Sequence, residues 1–258
     1  MNDFMSAGVH RLWKDHLLAS LSLPPTLQAL SRSPPAGSPE QPLYAHLDVA
    51  GGTGDVSFRV FDELSDCLPS LRLPPSGGKA PQATVTVCDI NPDMLRVGAE
   101  RAVALYGADL VETLDEPPSP AKPLRFREGN AERLPFDPCS FDSYTIAFGL
   151  RNVTDPSRAL RNALELLKPG GRLLVLEFSR PPNPLLSAAY DAYSFNVIPP
   201  LGAAVAGDEA SYRYLVESIR KWDDQAQLTE RMEDAGFQGV AHEDLAGGIV
   251  ALHSGWKL

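Results

Sequence analysis

Residues 47–60 read LDVAGGTGDVSFRV. A short apolar run meets a turn holding Gly51, Gly52 and Gly54, and helical spacing follows at once. AHLDVA (45–50) predicts a buried strand, and VSFRVFDELSD (56–66) predicts a helix. A strand, a glycine turn and a helix in that order aim backbone N–H groups and the positive end of a helix dipole at the carboxyl edge of a sheet. In open α/β sheets, ligands bind at that edge. The stretch therefore predicts a site for a nucleotide-like ligand.

The alternation continues outward. TVTVCDI (84–90) is short and β-branched, a strand, and DMLRVGAERAVALYG (93–107) follows at helical spacing. FDSYTIAF (141–148) is a further strand. PSRALRNALELL (156–167) puts Ala159, Leu160, Ala163, Leu164 and Leu167 on one face, with its proline in the tolerant first turn. KPGG (168–171) is expected to end that helix, and RLLVLEF (172–178) to form the next strand. DQAQLTERMEDAGF (224–237) reads as a helix and GGIVALHSGWKL (247–258) as a last strand. Strands alternating with helices imply an α/β fold with a mostly parallel sheet covered on both faces.

Three stretches, 24–42, 67–82 and 115–123, hold more than half of the 24 prolines and read as surface insertions. The N-terminal segment 1–23 is amphipathic but carries Asp3 and Asp15, so it reads as a helix of the mature protein and not as a transit peptide. The 258 residues suit a single domain, and no apolar run approaches the ~20 residues of a membrane span. A net charge of −10 disfavours nucleic acid as the main partner. Cys67, Cys88 and Cys139 are scattered and fit a reducing compartment. The five histidines have no metal-ligand spacing, so no metal is expected.

The loop's details narrow the ligand. A dinucleotide fingerprint needs a third glycine, but counting from Gly52 through Gly54 reaches Ser57. A phosphate-cradling loop would end in lysine and a hydroxyl residue, and this one does not. The loop suits a ligand without phosphates, such as S-adenosylmethionine, whose amino-acid end needs close backbone approach. Thr53 offers a hydroxyl, and Asp48 and Asp55 are placed to engage the ammonium. Asp89, ending the second strand, is placed to accept from ribose hydroxyls. Asn130 and Ala131, in EGNAERLPF (128–136), are placed to contact adenine.

NDFMSAGVHRLWKD (2–15), LDVAGGTGD (47–55), CDINPDML (88–95) and GNAERLPF (129–136) together carry a resemblance. FDSYTIAFGLRNVTD (141–155), LKPGGRLLVLEFSRP (167–181) and the terminal SGWKL complete it. Through them the chain resembles the class I S-adenosylmethionine-dependent methyltransferases, and within these the ubiquinone/menaquinone biosynthesis C-methyltransferase family. The resemblance implies a Rossmann-like three-layer sandwich with an antiparallel C-terminal strand. It implies S-adenosylmethionine held by Thr53, Asp89, Asn130 and Ala131. The implied reaction methylates a ring carbon of a polyprenylated methoxy-benzoquinol in ubiquinone synthesis. The ending IVALHSGWKL and the insertions look more like the mitochondrial branch than the bacterial one. That implies a peripheral protein on the matrix side of the inner membrane, working with other ubiquinone-synthesis proteins, with a homodimer as one arrangement. For a bacterial member the place would be the cytoplasm. Family members carry a Tyr-Asp pair upstream of the position of Met1-Asn2-Asp3, and bacterial ones often a serine where Ala147 stands.

Methyl transfer to a ring carbon asks the protein for orientation and electrostatics. A quinol carbon is nucleophilic when a neighbouring hydroxyl is deprotonated, and the ring proton must finally leave. Arg151 and Asn152, in FGLRN after the 141–148 strand, emerge at the same edge as the glycine loop. They are expected to hold the ring oxygens, or to orient a water that acts as base. Otherwise Arg151 pairs with a loop acid such as Asp155. Residues 183–218 are aromatic and apolar, and are expected to lid the ring and admit the isoprenoid tail. A competing reading is a non-catalytic subunit that keeps the fold.

Overall fold

A computed structural model of the protein describes residues 9–23, 26–27, 42–68, 71, 82–119, 121–185, 190 and 209–258. In chain order the elements are α1 (His10–Leu21), β1 (Tyr44–Val49), α2 (Asp55–Cys67), β2 (Ala83–Asp89) and α3 (Pro92–Tyr106). Next come β3 (Val111–Glu112), β4 (Leu124–Glu128), β5 (Phe141–Ala147), a 3₁₀ turn (Leu150–Asn152), α4 (Pro156–Leu166) and β6 (Leu167–Phe178). The chain closes with α5 (Glu209–Lys221), α6 (Gln225–Asp234), β7 (Gln238–Leu245) and β8 (Val250–Trp256).

The strands form one sheet in the order β3-β4-β2-β1-β5-β6-β8-β7. All pairings through β6 are parallel, and β8 runs antiparallel to both β6 and β7. The expected parallel sheet with an antiparallel C-terminal strand is therefore the fold found. All six residues of the central strand β1 are buried, as a strand covered on both faces requires. Two apolar clusters mark the two faces. One joins Trp13, Leu17 and Leu21 of α1 to Phe58, Phe61 and Leu64 of α2 and Leu95, Ala99 and Ala102 of α3. The other packs Ala159, Leu160 and Ala163 of α4 and Leu228 and Met232 of α6 against Leu47, Tyr144 and Val175. The layers are helices, sheet, helices.

Two details depart from the reading of the sequence. The KPGG stretch does not form a glycine end to α4: the helix ends at Leu166, and Leu167 already begins β6. Strands β3, β4 and β7 are additional to those read from periodicity. β4 reads LRFRE and β7 QGVAHEDL, with charges where an apolar pattern was sought. The 115–123 insertion is an ordered turn in its described residues. Ser119 N–H donates to Glu112 Oε2 at 2.5 Å, and Lys122 Nζ reaches Glu116 at 2.7 Å. Most of 24–42 and 67–82 lies outside the described residues, as does most of 183–218, where a lid was expected. In the described part of that stretch, α5 contacts the Leu150–Asn152 turn. Among the described residues no helix is long and apolar enough to cross a membrane.

Candidate active site at the carboxyl edge of the sheet

Strands β1, β2 and β5 lie side by side and parallel, so the loops leaving their carboxyl ends meet. Between those loops opens a cavity of about 440 Å³. Asp48, Gly51, Gly52, Thr53, Asp89, Asn130, Ala131, Arg151 and Asn152 all line it. Of the residues singled out in the sequence, only Gly54 is outside the lining, at the N-terminal end of α2.

The glycine loop is shaped by close approach. Gly52 has φ +53°, and a Cβ there would sit 2.9 Å from the Met94 side chain. Its N–H donates to Asp89 Oδ2 at 2.9 Å, while Asn91 N–H donates to Asp89 Oδ1 at 2.9 Å. These bonds fix the Asp89 carboxylate at the cavity and leave each oxygen a further lone pair. Across the cavity, a Cβ on Gly149 would fall 2.3 Å from Ala50 Cβ, so the β1 and β5 loops touch there. Ala50 and Phe148, both in the lining, have φ of +54° and +57°. Such left-handed backbone in non-glycine residues costs free energy and is found at functional sites.

Asp48 lies at the cavity floor, 1% exposed. Ser57 Oγ donates to its Oδ2 at 2.6 Å and Thr145 Oγ1 to its Oδ1 at 2.8 Å. Behind it runs a buried polar column. Tyr44 OH donates to Ser143 Oγ at 2.6 Å, Ser143 lies 2.7 Å from His46 Nδ1, and His46 Nε2 lies 3.2 Å from Thr145. Because Thr145 gives its one proton to Asp48, it must accept from His46 Nε2–H, and Nδ1 must accept from Ser143. Every bond then donates toward the carboxylate. Burial nonetheless pushes Asp48 up to about 6, against the hydrogen bonds from Ser57 and Thr145 and the charge of Lys14.

Arg151 is 7% exposed in its side chain and pairs with Glu177 of β6, which is 1% exposed. Its Nη1 donates to Glu177 Oε1 and to the Phe148 carbonyl, both at 2.7 Å. The partner foreseen as an alternative, Asp155, instead caps α4 by accepting from Arg158 N–H at 2.9 Å. Burial raises the Glu177 pKa, with Arg151 and two backbone N–H groups opposing it. Nε of Arg151 is buried and has no partner among the described residues. Asn152 is exposed beside it. On the far wall, Asn130 Oδ1 accepts from Glu132 N–H at 2.9 Å, which leaves the amide nitrogen for a ligand. Ala131 is buried beside it, at 8% exposure. Ala147 also lines the cavity, where a serine would add a hydroxyl.

Several lining residues were not singled out in the sequence: Lys14, Ile90, Met94, Glu132 and Phe148. Ile90 carried a signal, an apolar residue directly after the acid of β2, and it is 67% exposed at the cavity mouth. Glu177 carried another, a lone acid inside the apolar run of RLLVLEF.

With this geometry in place, the comparisons with known proteins decide the family. The model of the ubiE/COQ5 methyltransferase family matches residues 1–257. The chain belongs to that family. It is 46% identical, over 258 residues, to the ubiquinone/menaquinone biosynthesis C-methyltransferase UbiE of Rhizobium etli, covering 100% of this chain and 83% of that protein. It is 45% identical, over 276 residues, to the mitochondrial 2-methoxy-6-polyprenyl-1,4-benzoquinol methylase of Danio rerio, covering 100% of this chain and 75% of that one. Bacterial and mitochondrial relatives are thus about equally similar. Among solved structures, the chain resembles a SAM-dependent methyltransferase from Aquifex aeolicus (TM-score 0.53, 12% identity, 85% of each chain). It also resembles the DszA carbon methyltransferase (TM-score 0.60, 16% identity, 98% of this chain and 55% of that one). The structural likenesses confirm the class I methyltransferase fold.

Proposed function

We propose that this methyltransferase moves a methyl group from S-adenosylmethionine to a ring carbon of a polyprenylated methoxy-benzoquinol, in ubiquinone synthesis. The observation that carries the reading is the whole-chain family match, joined to a cavity that assembles the glycine loop, Asp89 and the FGLRN turn. The donor set fits the cofactor. Asp89 offers outward lone pairs for the ribose hydroxyls, Asp48 a buried acceptor for the ammonium, and Thr53 a hydroxyl. Asn130 and Ala131 supply an amide nitrogen and a small apolar wall for adenine.

Bound S-adenosylmethionine supplies an electrophilic methyl on a sulfonium. The protein's part is to place the ring carbon in line with that methyl and to manage protons. Arg151 stabilises the deprotonated quinol oxygen with its guanidinium, which Glu177 holds from behind. Asn152 donates to a second ring oxygen. A water held at Arg151 takes the proton from the methylated carbon. α5, against the Leu150–Asn152 turn, belongs to the wall that receives the ring and its tail. An apolar tail of that kind implies docking at a membrane surface or a partner protein, with other ubiquinone-synthesis proteins as associates and a homodimer as one form. The setting is the matrix side of the mitochondrial inner membrane or, for a bacterial member, the cytoplasm; a relative named mitochondrial and bacterial relatives of about equal identity leave both in play. No observation favours a purely structural role.

The test is calorimetric titration of S-adenosylmethionine into the wild type and Asp89→Ala, followed by turnover of a short-tailed demethyl-quinol. Binding lost by the variant, with product made by the wild type, is expected. A folded wild type that binds no cofactor would overturn the reading.

A further inference from the structure

Lysine is seldom buried without a reason, because its ammonium is strongly hydrated and offers three donors. Lys14 is 8% exposed and lies on the cavity wall. It is carried there by α1, whose neighbouring Trp13 packs with its ring centroid 6.2 Å from that of Phe148, another lining residue. α1 is tied down beside it by the Asp15–Arg59 ion pair and, at its far end, by Arg172 Nη1 donating to the Ser20 carbonyl at 2.5 Å. The Lys14 position is thus imposed by packing and not by a flexible surface side chain.

One Lys14 proton goes to Asp55 Oδ2 at 2.6 Å. Among the described residues its other two donors have no partner, and the ammonium is largely shielded from water. Around them the lining holds four carboxylates, Asp48, Asp55, Asp89 and Glu132, and two cations, Lys14 and Arg151. Arg151 is engaged by Glu177 next to the FGLRN turn. Lys14 is the lining cation at the α2 end of the cavity, ion-paired with Asp55 and next to Asp48 and the glycine loop. The amino-acid end of S-adenosylmethionine is a zwitterion. Asp48 suits its ammonium, but a carboxylate entering among four acids needs a cation of its own.

We propose that Lys14 grips the carboxylate of the cofactor's amino-acid end, which makes α1 part of the cofactor site. Asp55 holds the ammonium of Lys14 in place. The proposal rests on reading the cavity as an S-adenosylmethionine site and adds a residue to it.

The test uses ligands that differ in that one group. S-adenosylhomocysteine carries the amino-acid end, its decarboxylated analogue lacks only the carboxylate, and methylthioadenosine lacks the whole end. Each is titrated into wild type, Lys14→Met and Lys14→Arg, with circular dichroism to confirm folding. A charge-assisted hydrogen bond corresponds to roughly a tenfold to hundredfold effect on affinity. Lys14→Met should lose that factor for S-adenosylhomocysteine and nothing for methylthioadenosine. It should also become indifferent to the presence of the carboxylate, and Lys14→Arg should recover most of the loss. Parallel loss of all three ligands would overturn the proposal in favour of a packing role for α1, and so would unchanged binding of S-adenosylhomocysteine. A wild type that binds none of them would instead overturn the cofactor reading beneath it. Lys14→Gln, which keeps a donor for Asp55, gives the same comparison should Lys14→Met not fold.

Discussion

Asp48 shows how much a single residue depends on neighbours that its own strand does not reveal. In the sequence it is one acid inside LDVAGG. In the structure, Tyr44, His46 and Asp48 alternate along β1 and face Ser143 and Thr145 of β5, whose register sets His46 opposite Ser143 and Asp48 opposite Thr145. Neither strand alone predicts that ladder, because the polar residues satisfy one another only once the two are paired. With Asp48 raised to about 6, the free site is about half protonated near pH 6. A bound ammonium favours the carboxylate. Cofactor binding should therefore release up to about half a proton at pH 6, and affinity should rise from pH 5 to 7 and then level off. Titrations at pH 6 in two buffers of different ionisation enthalpy measure that proton. Heats that do not depend on the buffer, or a release that persists in Asp48→Asn, would refute the assignment.

At the scale of elements, periodicity located β1, α2, β2, α3, β5 and α4 within a residue or two, because each buries a regular apolar face, while β6 begins five residues before the stretch read from it and α6 ends three residues short. β3, of only two residues, escaped periodicity, as did β4 and β7. Arg125 and Arg127 put charges on one face of β4, and β7 is an edge strand with few buried positions. The place of the FGLRN turn at the carboxyl edge of the sheet was legible, but its support was not. Glu177 lies 26 residues from Arg151, on the neighbouring strand. Burial of both charges makes the pair asymmetric in its effects. Removing one partner strands the other and is expected to cost about 3–5 kcal/mol, whereas replacing both by apolar groups costs far less. Glu177→Leu should thus destabilise the fold strongly in denaturant titration. Arg151→Met with Glu177→Leu should recover much of that stability while turnover stays lost. Simple additivity of the two single variants would show that the pair is not coupled.

Across the whole molecule, the buried titratable groups set how the fold responds to acid, and they pull in opposite directions. Burial lowers His46 to about 3 and His253 to about 4. Both are neutral in the fold but protonated in the unfolded chain below about pH 6.5. Their contribution is present above that pH and is lost as pH falls. Asp48 is raised, so between about pH 4 and 6 the folded state holds a proton that the unfolded state has released. Its contribution grows as pH falls. Glu177, also raised by burial, acts in the same sense as Asp48. The acids thus offset part of the histidine effect, and the wild type should lose stability only gradually from pH 6 to 4. Asp48→Asn removes one of the offsetting protons. Relative to its own stability at pH 7, the variant should fall more steeply across that range, by about 1.4 kcal/mol more per pH unit. His46→Gln should make the curve shallower by a similar step. Denaturant midpoints collected at half-unit intervals give the slopes directly. A slope for Asp48→Asn equal to that of the wild type would mean that Asp48 is already ionised in the fold at pH 4, and that the polar column from Tyr44 to Thr145 holds its charge more firmly than burial opposes it.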